Sequence, residues 1–209
     1  MTESRLALGE HYLGRIAGLG AAALATALLS TTAFADAPTG VTHFAADPAK
    51  SSLQFTFLQA GATNTGKFAK FPVALDAAAD GSAASKLDVT VDMTTMDSGD
   101  KERDDTLRGP DLFSVAKFPQ AHFTATQITK TAAGFDALGK LTLRGVTRDQ
   151  HVLFTLRIAN EQGHSVGYLT GKATVHRLDY GVGQGDWKST EWVGPDVTVS
   201  YNVRLVAAP

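Results

Sequence analysis

The chain has 209 residues, 19 of them basic and 21 acidic, a formal net charge of -2, 44% hydrophobic residues and no cysteine. A weakly acidic chain without basic runs is a poor candidate for nucleic acid or for electrostatic attraction to an anionic membrane. Lacking disulfides, it must be stabilised by packing and closed hydrogen bonding.

The first predicted element is an export signal. Arg5 and Arg15 give a positive start, residues 16–29 form a short apolar stretch, and Ala33, Phe34 and Ala35 offer the small-x-small site of a signal peptidase. Residues 1–35 read as a signal peptide cleaved before Asp36, which places the mature chain in the periplasm. A membrane anchor or a core helix is the alternative, but about 14 apolar residues fall short of the roughly 20 that span a bilayer. Removing the first 35 of 209 residues leaves 174, one domain over residues 36–209. Glu3 and Glu10 leave together with Arg5 and Arg15, so the net charge of -2 is unchanged.

From there the hydrophobic period is two. Leu53, Phe55 and Phe57 alternate with polar residues, as do Leu87, Val89, Val91 and Met93. Residues 98–108 (SGDKERDDTLR) are the one helical stretch, with Ser98 as the predicted cap and acids in the first turns. The alternation resumes at Phe135, Ala137, Gly139, Leu141 and Leu143, and at Val152, Phe154, Leu156 and Ile158. It continues through Leu169, Gly171, Ala173 and Val175 and ends with Val197, Val199, Tyr201, Val203 and Leu205. These are half-buried antiparallel strands with one wet face. About eight of them, parted by turn signals such as Asp80-Gly81, Arg144-Gly145 and Gln162-Gly163, predict an all-β sandwich or barrel with one short helix.

Residues 180–194 interrupt the pattern. Gly181, Gly183 and Gly185 mimic a phosphate loop, but no strand-turn-helix crossover surrounds them. The segment reads as a loop at a barrel mouth. Trp187 and Trp192 either cover the opening or touch a membrane surface, the alternative being that both plug the barrel end as core. The histidines at 43, 122, 151, 164 and 176 show no metal-ligand spacing, and Ser51 and Ser189 lie in no nucleophile elbow. The expectation is a chain that is not an enzyme and holds no metal or cofactor. His176, beside Arg177, is the best polar candidate for contact with a ligand head group.

Several ordered motifs carry a resemblance. Asp47-Pro48-Ala49-Lys50-Ser51-Ser52, Arg103-Asp104, Leu112-Phe113 with Phe118-Pro119, the run from Gly139 through Arg144-Gly145 to Thr147, and His176-Arg177-Leu178-Asp179-Tyr180-Gly181 resemble the signatures of the YceI family. The resemblance covers essentially all of the mature chain. It implies a lipocalin-like antiparallel β-barrel of about eight strands, usually exported, with an isoprenoid lipid in its interior. Relatives commonly carry a His two places after the Arg-Asp pair, where this chain has Thr106. Arg103 and Asp104 then read as an ion pair on the helix surface rather than as ligand contacts.

For such a ligand the candidate wall is Phe55, Phe57, Val89, Val91, Phe123, Leu141, Phe154, Leu169, Ala173, Val175 and Tyr201, with His176, Trp187 and Trp192 toward the mouth. The small residues Ala125, Ala137, Gly139, Gly171 and Ala173 are expected to leave a channel between larger ones, the alternative being a solid core. Three readings follow. The leading one is a periplasmic carrier for an isoprenoid lipid with a polyprenyl or quinone-type tail. A scavenger of lipophilic toxins or antibiotics, and a ligand-free module serving a membrane b-type cytochrome, are the others. Whether two copies associate is open.

Overall fold

The computed structural model describes residues 40–208. The expected signal peptide lies outside the described residues. Eleven strands and one α-helix follow in order: β1 (Val41–Ala46), β2 (Ser52–Gln59), β3 (Ala62–Phe68), β4 (Val73–Ala78), β5 (Ala84–Asp92), β6 (Met96–Asp97), α1 (Lys101–Arg108), β7 (Gln120–Thr131), β8 (Gly134–Leu143), β9 (Val146–Glu161), β10 (His164–His176) and β11 (Asp196–Ala207).

All are antiparallel, and the sheet closes on itself where β1 meets β11, with Phe44 opposite Ala207 and Ala46 opposite Leu205. The eleven segments fill eight positions of a ring because three positions are broken. β1 pairs with β4 while β2, its continuation, pairs with β3; β4 pairs with β5 while β3 pairs with β6. The eight strands read from the sequence are therefore right as positions. The breaks have local causes. Pro48 cannot donate to a ladder, and Asp47 caps the short turn that contains it by accepting from the Ala49 N–H at 3.2 Å. Asp92 does the same for residues 93–95, accepting from the Thr94 N–H at 3.0 Å.

Tight hairpins join the later strands. Arg144 and Gly145 both have positive φ (50° and 74°), as do Gln162 and Gly163 (53° and 85°), the geometry whose twist suits a two-residue connection. The helix starts later than expected. Asp100, not Ser98, is its cap, accepting from the Arg103 N–H at 3.0 Å. The Ser98 N–H instead donates to Asp104 Oδ1 at 2.8 Å, tying the chain before the helix back onto its first turns.

Two apolar layers fill the barrel ends. At one end Phe44, Leu75, Ala137, Phe135, Phe154 and Leu205 close a solid core in which Leu75, Ala137 and Leu205 have no exposed surface. Arg204 locks that end from outside, pairing with Asp47 and with Glu161 at 2.7 Å each. At the other end Phe57, Met96, Leu107, Leu112, Tyr180 and Val193 pack beneath α1 and the 181–194 loop. Between the layers the barrel is hollow.

Candidate functional site

The hollow is a lumen of about 170 Å³, and the wall it exposes is wholly apolar. Phe55, Val89, Val91, Phe123, Leu141, Leu169, Ala173, Val175 and Tyr201 line it, as their alternation on β2, β5, β7, β8, β10 and β11 requires. Sequence reasoning missed Phe68, Phe71 and Phe113, which enter from strand ends and loops where no period of two is visible, and left Met93, the last residue of the alternation begun at Leu87, out of the wall.

The openness has a different cause from the one expected. Small residues do not form the channel. A Cβ added at Gly66 would lie 2.2 Å from the tip of the Phe55 ring, one at Gly139 2.6 Å from that of Phe123, and one at Gly171 2.8 Å from Tyr201. Each glycine lets an aromatic ring from a neighbouring strand lie flat along the wall instead of projecting inward. Ala137 is packed in the closed core, and Ala125 also packs against it. Ala173 alone of the five lines the lumen.

Three polar side chains border the lumen, and each turns its donors to backbone. The Tyr201 hydroxyl donates to the Leu153 carbonyl at 2.6 Å, and burial pushes its phenol far above the ordinary value. The Gln150 amide donates to the His151 and Thr174 carbonyls at 2.9 and 3.0 Å. Arg177, 3% exposed, donates to the carbonyls of Gly194, Val182, Trp187, Ser189 and Val193, between 2.8 and 3.2 Å. No carboxylate pairs with it among the described residues, and burial lowers its pKa. Its role is to cinch the 181–194 loop over the barrel end.

Above the lumen lies a second, more polar cavity of about 470 Å³, a vestibule between α1, the tip of the β2–β3 hairpin and that loop. Phe113, Arg177 and Val197 wall both spaces. Phe57, Leu112, Val193 and Trp187 supply apolar surface, while Gln59, Asn64, Asp100, Glu102, Arg103 and Thr106 supply polar groups.

Five sequence expectations need correction here. His176 faces outward and pairs with Asp196 at 2.5 Å. With Val175 pointing in, its neighbour on the strand must point out. Trp192 is 65% exposed on the outer surface, whereas Trp187 is half-buried in the vestibule, so the two tryptophans do different things. Phe154 stacks on Phe135 in the closed core, centroids 5.1 Å apart, and does not line the lumen. Phe57 belongs to the vestibule wall. Arg103 and Asp104 are not partners. Arg103 donates to Asn64 Oδ1 and pairs with Asp100 at 3.4 Å, while buried Asp104 turns to the Ser98 N–H and to Arg108 at 4.0 Å.

A model of the YceI-like domain matches residues 44–205, which is the barrel but for its first three and last two strand residues. The chain belongs to the YceI family. Among curated YceI relatives, a UPF0312 protein of Yersinia enterocolitica is 44% identical over 66 residues, covering 32% of this chain and 34% of that protein. The matched stretch thus spans about a third of the length of the curated relatives. Of solved structures, BcnA from Burkholderia cenocepacia is similar at 29% identity and a TM-score of 0.67, over 78% of this chain and 99% of that one. A polyisoprenoid binding domain from Saccharophagus degradans shares the fold at 17% identity and a TM-score of 0.55, over 79% and 98% of the two chains.

Proposed function

We propose that this YceI-family barrel is an exported, periplasmic carrier of an isoprenoid lipid, the tail lying in the lumen and the head in the vestibule. One observation carries the proposal: among the described residues, the polar side chains bordering the lumen direct their donors to backbone carbonyls, so a guest meets hydrocarbon until it reaches the vestibule. Support also comes from the family and from a fold neighbour described as a polyisoprenoid binding domain. At about 0.8 kcal/mol per buried methylene, fifteen methylene equivalents shared between the lumen and the apolar side of the vestibule would give on the order of 12 kcal/mol, from which several kcal/mol of ordering must be subtracted. Micromolar binding then survives without strong polar contacts. Trp192 and Leu58, 65% and 50% exposed on adjoining segments of the mouth, suit brief contact with a membrane from which such a lipid is taken. The proposal assigns the protein binding and no bond-breaking step.

Ala173 lies on the lumen wall, and Ala173→Trp would drive an indole across it. The variant should keep its far-UV circular dichroism and lose uptake of a C20 isoprenoid by at least about tenfold, since the apolar side of the vestibule can cover only part of the displaced tail. A folded variant that binds as well as the parent would refute the placement of the tail.

A further inference from the structure

We infer that the vestibule selects an uncharged, hydroxyl-bearing head group, an alcohol or a quinol, over a phosphorylated one. The inference rests on the carrier reading above and concerns the chemistry of its polar end. Two cations border the vestibule, Arg103 and Arg177. Both already have partners. Arg177 is enclosed by five carbonyls, and Arg103 is held by Asn64 and Asp100. Two carboxylates, Asp100 and Glu102, share the same wall and cancel that positive charge.

The amino end of α1 would otherwise attract an anion, but its dipole is already met by Asp100 as cap and by Glu102 and Asp104 in the first turn. What remains for a guest is acceptor-rich. The Glu102 carboxylate has no cationic partner among the described residues, and the Thr106 hydroxyl donates to the Glu102 carbonyl at 2.8 Å, leaving its oxygen to accept. Gln59 adds an amide with no side-chain partner among the described residues. A hydroxyl can donate to these oxygens. A diphosphate offers only acceptors and negative charge, and would lose its hydration beside two carboxylates.

The test holds the tail constant. Geranylgeraniol and geranylgeranyl diphosphate are offered in equal amounts to the purified protein at low ionic strength without divalent cations, and bound species are counted by native mass spectrometry. The alcohol should bind about tenfold tighter, the scale expected when a like charge is brought within a few ångströms of an incompletely screened carboxylate. Glu102→Lys, which reverses one charge on the vestibule wall, should move the ratio several-fold toward the diphosphate. Equal or tighter diphosphate binding by the parent, or a ratio unmoved by Glu102→Lys, overturns the inference while leaving the tail in the lumen. If neither lipid binds, the carrier reading itself fails and the head-group preference with it.

Discussion

At the scale of single residues, the bore of the lumen is set by what glycine permits a neighbouring ring to do. Gly66 stands opposite Phe55 across the β2–β3 ladder, and the atom its Cβ would strike is the far end of a movable side chain. Gly66→Ala should therefore fold, lose about 1–3 kcal/mol through overpacking, and push the Phe55 ring toward the guest. Urea denaturation and isoprenoid titration check the two halves: weaker binding by several-fold is expected, and unchanged affinity would show that the ring has room elsewhere. Gly171 is a poorer probe because its Cβ would meet the Leu153 carbonyl at 2.1 Å, a backbone atom that cannot move aside. The alternation that placed Leu169, Ala173 and Val175 on the inner face was legible in the sequence, and applied one residue further it would have turned His176 outward. The ring over each glycine was not legible, because it depends on which residues of different strands stand opposite.

Among the elements, the strands were readable from their period and the hairpins from Arg144-Gly145 and Gln162-Gly163. The three broken strands were not read, although each break shifts the phase of the alternation: Phe44 to Leu53, Gly66 to Val73 and Met93 to Met96 are all odd steps between inward residues. The 181–194 loop owes its shape to Arg177, which no periodicity reveals: five carbonyls from widely spaced residues converge on one guanidinium only in three dimensions. Arg177→Lys keeps the charge but supplies three donors without the planar fork. It should destabilise the protein by roughly 2–4 kcal/mol, as buried carbonyls lose partners, and expose the loop to limited proteolysis. A variant with parental stability and protease resistance would show that the loop is held by packing of Val182 and Val193 alone.

For the whole molecule, closure is the decisive event, and its outer lock is the Arg204 cluster. The Tyr168 hydroxyl and then Arg204 lower the pKa of Glu161 below its ordinary value of 4.5. A carboxylate whose folded pKa is depressed contributes stability that is present above the unfolded value and lost as pH falls through the folded one. The urea midpoint should accordingly fall as pH drops below about 4.5, and more steeply for the parent than for Glu161→Gln. Parallel pH profiles for the two proteins would remove Glu161 from the closing interaction. The barrel and its greasy interior were legible from composition and period, whereas the division into an apolar lumen and a polar vestibule required closure to bring α1, the β2–β3 tip and the 181–194 loop together. The most direct test of the carrier reading is native mass spectrometry of the protein recovered from a bacterial periplasm, followed by organic extraction of anything bound. A chain beginning at Asp36 with one isoprenoid per barrel is the predicted result, and an empty barrel that also refuses added isoprenoids would contradict it.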